Sequence, residues 1–156
     1  MPTGATGPAG TFSPAYGYVY NTGAQTVAAG ADVTFSSSGP LTGGIAHTPG
    51  TASVTVANGG DYMVQYEITR FASGGLISAA AYAIVLNNMV QASTQYGDVQ
   101  TSNNNTTKVT IGIAILPIPD GAVLTVRNVG TTDDSLPAIA DGATIVNASF
   151  RLVKLN

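Results

Sequence analysis

The chain has 156 residues and a net charge of -3, and only 8% of its residues are charged, against about 25% in an average soluble protein. It contains no cysteine, which excludes disulfides, thiolate metal ligands and a cysteine nucleophile. The few Lys and Arg residues form no basic run and no apolar stretch approaches the roughly 18 residues that cross a bilayer, so we expect neither a nucleic-acid partner nor a membrane partner.

Glycine recurs at every third position near the start of the chain, in Gly4-Ala-Thr-Gly-Pro-Ala-Gly10. A collagen triple helix requires this period, since only glycine fits at the axis where three chains meet. A glycine-rich flexible leader shows the same spacing by chance over so short a stretch, so the repeat alone leaves both interpretations open. We expect residues 1–12 to be flexible and residues 13–156 to form one domain around one hydrophobic core.

After Phe12, short runs of β-branched and aromatic residues alternate with Gly, Pro and Asn, which is typical of an all-β protein. The first predicted strand, Ala15 to Tyr20, places the side chains of Tyr16, Tyr18 and Tyr20 on one face. Shorter strand-like pieces follow near residues 33–35 and 45–47.

Two strands are predicted in the middle of the chain, over Thr51–Ala57 and Asp61–Arg70. In the second, alternate side chains point to opposite faces, with Tyr62, Val64, Tyr66 and Ile68 on the apolar one. Asn58-Gly59-Gly60 joins the two strands, and Asn-Gly is a strong hairpin signal because both residues tolerate positive φ. We therefore predict a hairpin at this point.

The remaining segments predict four further strands and no helix of normal length. They cover Ile77–Asn87, Lys108–Leu116, Ala122–Asn128 and Ala143–Leu155. The second of these has one apolar face, formed by Val109, Ile111, Ile113 and Ile115, and we expect the proline-rich segment 117–121 to interrupt pairing after it. With about eight to ten short strands, the chain fits a β-sandwich or a jelly roll.

Few residues are candidates for chemistry. His47 is the only histidine and no Gly-x-Ser-x-Gly motif accompanies it, so we expect it to have a structural or surface role and the protein not to be an enzyme. Asp133 and Asp134 are candidate Ca²⁺ ligands because calcium prefers clustered oxygen atoms. The alternative is that both are solvated loop acids.

The order of several segments resembles a known family. They are the glycine repeat, Thr11-Phe-Ser-Pro-Ala-Tyr16, Gly-Gly-Asp-Tyr-x-Val-x-Tyr-x-Ile (59–68), Leu86-Asn-Asn, Pro-Asp-Gly-Ala-x-Leu-x-Val (119–126) and Ala148-Ser-Phe-Arg-Leu-Val-Lys-Leu155. In this order they resemble the C-terminal domains of the collagen-like glycoproteins of the Bacillus exosporium, the BclA-like family. More broadly, they are similar to the ten-stranded jelly roll of the complement C1q head and tumour necrosis factor. The resemblance covers essentially the whole chain and rests on glycines, aromatics and strand order.

The resemblance implies a ten-stranded antiparallel jelly roll that forms a homotrimer and caps or nucleates a collagen-like stalk. It places the protein in the hair-like filaments of the spore surface, with other exosporium basal-layer proteins as partners. Thr6 is then a site of O-linked sugar on the stalk. The candidates for the trimer interface are Tyr16, Tyr18, Tyr20, Tyr66 and Phe150, which in a monomer would belong to the core. We expect no cofactor other than Ca²⁺ at Asp133 and Asp134.

Two other functions remain open at this stage. The same trimer can be an adhesive recognition module that binds a carbohydrate or a host protein through its loops. On fold alone, a phage tail-fibre or capsid jelly roll is a further alternative, because a fold does not determine a function.

Overall fold

The computed structural model describes residues 13–74, 77–101 and 103–156. The glycine repeat and Thr6 lie outside these residues. Strands dominate the described part of the chain, and every pairing between them is antiparallel. The all-β antiparallel prediction is therefore confirmed.

Fifteen strands and one 3-10 helix form in the described residues, several of them only two or three residues long. In chain order they are β1 (Tyr16–Asn21), β2 (Gln25–Val27), β3 (Ser37–Leu41), β4 (Ile45–His47), β5 (Val54–Val56), β6 (Gly60–Ala72), β7 (Ser78–Leu86), β8 (Met89–Val90), the 3-10 helix (Ala92–Thr94), β9 (Tyr96–Gln100), β10 (Thr106–Ile118), β11 (Ala122–Asn128), β12 (Asp134–Leu136), β13 (Ile139–Ala140), β14 (Ala143–Thr144) and β15 (Ala148–Lys154).

Two large sheets face each other. In the first sheet β6 is central, with β10 along one edge and β15, then β1, then β3 on the other; β12 and β2 continue from the far end of β6. In the second sheet the order is β4-β5-β11-β7, and both β8 and β9 pair with the outer edge of β7. The hairpin β13–β14 stands apart from both sheets.

The core lies between the two sheets and follows the predicted alternation. On β6 the side chains of Tyr62, Val64, Tyr66 and Ile68 are fully buried, as the sequence predicts. The second sheet faces them with a matching set, Val54, Val56, Tyr82, Ile84, Leu124 and Val126. Each such Val, Leu or Ile contributes roughly 1.5–3 kcal/mol by leaving water.

The hairpin predicted at Asn58-Gly59-Gly60 is wrong. β5 pairs with β4 and β11 in the second sheet, whereas β6 belongs to the first, so the segment crosses between sheets. A side chain at Gly59 would lie 2.6 Å from the carbonyl oxygen of Ile118, and Gly60 has φ of 148°. Glycine is needed here for a close crossing of two chain segments rather than for a hairpin turn.

Two strand ends also differ from the prediction. Pairing continues through Pro117, which lies opposite Asp61 at the end of the β6–β10 ladder. Because β10 is an edge strand of its sheet, a residue without an N–H is tolerated there. The single strand predicted over Ala143–Leu155 is divided into β14 and β15, because Asn147 is drawn inward and bonds to the carbonyl oxygens of Gly23 and Pro137.

Candidate interaction site

The long edge strand β10 turns its aliphatic side chains away from the core. In the single chain, Val109, Ile111, Ile113 and Ile115 keep 48%, 48%, 48% and 65% of their surface exposed. Exposed aliphatic residues are common singly, but a contiguous row of them is a candidate interaction surface or an aggregation-prone patch.

The inward side of β10 explains this orientation, because it has no room for large side chains. A Cβ at Gly112 would collide with the ring of Tyr66. Two residues earlier, the hydroxyl of Thr110 donates to the carboxylate of Asp98 at 2.6 Å. The space beneath β10 is thus filled from β6 and β9, and the aliphatic side chains must point outward.

The aliphatic row is one edge of a larger surface, which we call the four-strand face. It consists of the outward side chains of β10, β6, β15 and β1. Strand register aligns them in three rows: Ile115, Met63, Val153 and Tyr16; Ile113, Gln65, Arg151 and Tyr18; and Ile111, Glu67, Ser149 and Tyr20. Aliphatic side chains therefore occupy one edge of the face and tyrosines the other.

The tyrosine edge is held by contacts between rings. Tyr18 and Tyr20 stack with ring centroids 5.5 Å apart, and the guanidinium carbon of Arg151 lies 6.0 Å from the centroid of the Tyr18 ring. Tyr16 keeps 44% of its surface exposed. A shallow pocket of about 500 Å³ borders this edge between Tyr16, Pro40 and Val153. The predicted common face of the three tyrosines is confirmed.

In the three rows of the four-strand face, two side chains are charged at neutral pH, Glu67 and Arg151. Among the residues that the structure describes, neither forms an ion pair. The face thus offers one negative and one positive group to a partner, within a mainly apolar and aromatic surface.

Two residues predicted for an interface lie in the monomer core instead. Tyr66 and Phe150 are both fully buried and lie on the inward sides of β6 and β15. The hydroxyl of Tyr66 is 2.7 Å from the carbonyl oxygens of Tyr82 and Thr94, and burial raises its pKa. Their side chains offer no surface to a second chain, so the core alternative holds for both.

A buried ionic cluster lies at the end of β6, and sequence reasoning missed it. Arg70, which is 1% exposed, bonds to Asp98, and its Nη1 donates to the hydroxyl of Ser78 at 2.7 Å. Its guanidinium is also 4.0 Å from the carboxylate of Asp134, which accepts a hydrogen bond from the Tyr82 hydroxyl at 2.9 Å.

The two carboxyl groups of the cluster are shifted in opposite directions. Burial alone would raise the pKa of Asp98, but hydrogen bonds from Arg70 and Thr110 lower it below its ordinary value. Asp134 is more deeply buried, and this burial raises its pKa despite the hydrogen bond from Tyr82 and the nearby Arg70.

The predicted Ca²⁺ pair is separated by these contacts. Asp134 points into the ionic cluster, whereas the carboxylate of its neighbour Asp133 accepts a hydrogen bond from the backbone N–H of Ala29 at 3.0 Å. Within residues 13–74, 77–101 and 103–156, no group of three or more His, Cys, Asp or Glu side chains is placed to hold a metal ion. The two acids therefore do not share a site in this arrangement.

His47 makes structural contacts between neighbouring strands. Its Nδ1 lies 2.8 Å from the Ser38 hydroxyl and its Nε2 lies 3.1 Å from the carbonyl oxygen of Thr51. Its ring meets that of Phe35 edge-on at 6.2 Å. Both ring nitrogens are occupied, and neither faces a carboxylate that would complete a hydrolytic triad.

Sequence reasoning found the apolar alternation of β10 but did not place it in the site. Alternation defines two sides of a strand without saying which side faces the core. The available signal was on the other side, where Thr110, Gly112 and Ala114 are too small or polar for a core strand. Both sides of the strand taken together predict that the isoleucines face outward.

Comparisons with known proteins agree with this architecture. No family model matches the chain, and no curated protein matches it. Among solved structures, Eiger TNF from S. frugiperda superposes with a TM-score of 0.67 at 19% identity, covering 92% of each chain. The globular domain of zebrafish complement 1qA gives 0.65 at 12% identity, covering 91% of this chain and 98% of that one. Murine APRIL gives 0.61 at 9% identity, covering 92% and 100%.

The chain has a TNF/C1q-like jelly roll. This confirms the predicted fold class, which at these identities is all that the likeness establishes. The strands are more finely divided than the predicted ten, because several, such as β8 and β13, span only two residues. In the part of the chain that the structure describes, no helix has the length and apolar character to cross a membrane.

Proposed function

We propose that this jelly roll is a structural head domain that assembles with two further copies of itself. The observation that carries the proposal is the four-strand face, which exposes a row of aliphatic side chains at about half their surface. A folded chain gains free energy when such a surface leaves water, at roughly 25 cal/mol per Å².

The chemistry of the face favours a ring over a symmetric pair. Its aliphatic edge on β10 and its aromatic edge on β1 differ, so the edge of one copy can pack against the face of the next. Such head-to-tail contacts close into rings when the rotation allows. The free charges of Glu67 and Arg151 can pair between neighbouring copies. The number three comes from the resemblance to the exosporium and C1q families.

We further propose that the trimer caps a collagen-like stalk in the filaments of the spore exosporium. The support is the family resemblance and the Gly4–Gly10 repeat directly before the domain. A trimer holds three chain ends together and raises their effective concentration, which aids triple-helix nucleation. The partners are then other copies of the chain and exosporium basal-layer proteins. We propose no catalytic role.

Self-association is tested by native mass spectrometry and light scattering at micromolar concentration. We expect a mass three times the 15.6 kDa of the chain. Ile113→Lys places a charge in the face and should give a folded monomer. Ile139→Lys is the matched control, because Ile139 is 62% exposed on the separate β13–β14 hairpin and should leave the trimer intact. A monomeric parent protein would contradict the proposal.

The stalk-capping role needs its own experiment, since a trimer alone does not show it. The domain is fused behind a long Gly-X-Y segment, and triple-helix melting is followed by circular dichroism. We expect Ile113→Lys to lower the melting temperature and slow refolding, whereas Ile139→Lys should change neither. Gold-labelled antibody on thin sections of spores tests the location, and labelling confined to the spore interior would contradict it.

The alternative of an adhesive recognition module has one specific observation in its favour. A small pocket lined by Asp32, Asn88, Thr125 and Arg127, among others, opens on the outer face of the second sheet, where self-association through the four-strand face would leave it accessible. The partners of such a module would be host proteins or glycans.

A further inference from the structure

A pocket of about 140 Å³ lies on the outer face of the second sheet. It is lined by Asp32, Val85, Asn88, Val123, Thr125 and Arg127. Strand β11 supplies the last three at alternating, outward positions. An antiparallel bridge places Asp32 directly opposite Arg127. The turn between β7 and β8 places Asn88 in the pocket, with a φ of 66°.

The charged groups of this pocket neutralise each other. The Nε of Arg127 donates to Asp32 Oδ1 at 2.7 Å, and its Nη2 lies 3.3 Å from Oδ2. The same Nη2 is 3.5 Å from the amide oxygen of Asn88. A guanidinium already paired with a carboxylate attracts a free anion weakly, and the carboxylate attracts a cation weakly for the same reason. The pocket therefore suits a neutral ligand that both donates and accepts hydrogen bonds.

Thr125 provides an independent observation. Its side chain is only 8% exposed, and its hydroxyl oxygen has no hydrogen-bond partner among the described residues. Nearly all buried polar groups in folded proteins are paired, so an unpaired one requires an explanation. Valine would fill the same volume at this β-strand position without that cost, and a ligand hydroxyl would explain why threonine is present.

We propose that this pocket binds one neutral monosaccharide residue. Sugar hydroxyls donate and accept together, which matches the pair of Asp32 and Arg127 and the amide of Asn88. The C–H face of a sugar packs against apolar surface, which Val123 supplies because 39% of its surface is exposed. Since a water molecule takes about 30 Å³ of liquid volume, the 140 Å³ pocket holds about five water-sized groups. It would therefore take the hydroxyl groups along one side of a single sugar ring, and the rest of the ring would stay in solvent.

The site does not depend on self-association. It belongs to β11 and the β7–β8 turn of the second sheet, whereas the four-strand face belongs to the first sheet. A trimer would therefore display three such pockets, and a monomeric variant would retain one. A ligand of about a dozen heavy atoms is expected to bind a single pocket with a millimolar dissociation constant.

The test is a titration of the ¹⁵N-labelled full chain with glucose, galactose, mannose, rhamnose and N-acetylglucosamine, each followed by NMR. Sodium acetate and sodium phosphate serve as anionic probes. We expect at least one sugar to shift amide signals around Asn88, Thr125 and Arg127 at millimolar concentration. Absence of such shifts with every sugar, or shifts with the anions alone, would overturn the proposal.

Two variants connect the binding to the pocket. Thr125→Val removes the unpaired hydroxyl and should weaken sugar binding about two- to tenfold, the range for one hydrogen bond, while the melting temperature stays equal or rises. Thr26→Val, at an exposed position of β2, should change neither quantity. Asp32→Asn breaks the Arg127 pair and should also weaken binding. Parent-like affinity in both Thr125→Val and Asp32→Asn would refute the site.

Discussion

The two sides of the β6–β10 ladder reverse the usual distribution of polar and apolar residues. On the inner side, at one end of the ladder, Arg70 is 1% exposed and bonds to Asp98 and Ser78. On the outer side, the isoleucines of β10 keep about half or more of their surface in water. The inner side carries buried charge, and the outer side carries exposed hydrocarbon.

The inner side of the β6–β10 ladder has all its contacts within one chain, whereas the outer side does not. The buried charges have their partners, so the inner side needs nothing further from outside. The outer aliphatic side chains have none in the single chain, and no internal contact offsets their exposure. The inner side is therefore expected to respond to mutation through stability, and the outer side through association.

The largest effect is expected from Arg70→Met. It leaves Asp98 and Asp134 without their cation, and removal of one partner from a buried ionic group typically costs about 3–5 kcal/mol. The matched control is Arg151→Met on the four-strand face, which loses only the contact with Tyr18, worth about 0.5–1 kcal/mol. Urea unfolding in the Ile113→Lys background measures both without a contribution from assembly. Equal losses in the free energy of unfolding for Arg70→Met and Arg151→Met would contradict the expectation that the inner side acts through stability and the outer side through association.

A smaller loss is expected from Gly112→Ala. The new methyl group would collide with the buried Tyr66 ring, and such overpacking typically costs about 1–3 kcal/mol. Gly23→Ala is the control, because the nearest heavy atom to a Cβ there lies 4.0 Å away. Urea unfolding should separate the two variants clearly. If Gly112→Ala were as stable as the parent, crowding beneath β10 would not explain why its isoleucines face outward.

The smallest effect is a difference in pH dependence within the ionic cluster. The pKa of Asp98 is lowered in the folded state, so its contribution is present above the unfolded-state pKa and is lost as the pH falls through the folded value. The pKa of Asp134 is raised, so its contribution is present below the unfolded-state pKa and is lost as the pH rises through the folded value.

Asparagine variants separate these two contributions. As the pH rises from about 3 to 7, the free energy of unfolding of Asp98→Asn should fall relative to that of the parent. Over the same range, the free energy of unfolding of Asp134→Asn should rise relative to that of the parent. Urea unfolding at a series of pH values measures both differences. The same sign for the two would show that the carboxyl groups are not shifted in opposite directions.

Local pattern was sufficient to predict much of the fold. The alternation of Tyr62 to Ile68 identified β6 and its buried side, and Ala122–Asn128 matches β11 at both ends. The common face of Tyr16, Tyr18 and Tyr20 follows from the period of two in a strand. These features depend on neighbours in sequence, and the sequence contains them directly.

Features that depend on distant segments were not predictable in this way. The Asn58-Gly59 turn resembles a hairpin locally, but its two strands join different sheets, because β5 pairs with β4 and β11 whereas β6 pairs with β10 and β15. The sequence predicts Asp134 as a Ca²⁺ ligand or, alternatively, as a solvated loop acid, since nothing near it in sequence reveals Arg70. For Tyr66 and Phe150, the core and interface alternatives differ only in which side of the strand meets the second sheet.

The exposed edge of β10 has a consequence for the newly made chain. Among the described residues, the backbone of β10 forms a ladder only with β6. On the other side of β10, the hydroxyl of Tyr96 donates to the carbonyl oxygen of Ile113 at 3.1 Å. A long β-branched edge strand is a template for amyloid-like stacking.

With only 8% charged residues, the chain has little electrostatic repulsion to oppose such stacking. Lys108 near the start of the strand and Pro117 near its end are the residues that interrupt the template. If the chain assembles as proposed, ordered assembly competes with aggregation of the newly made copies, and the balance depends on how quickly chains meet after synthesis.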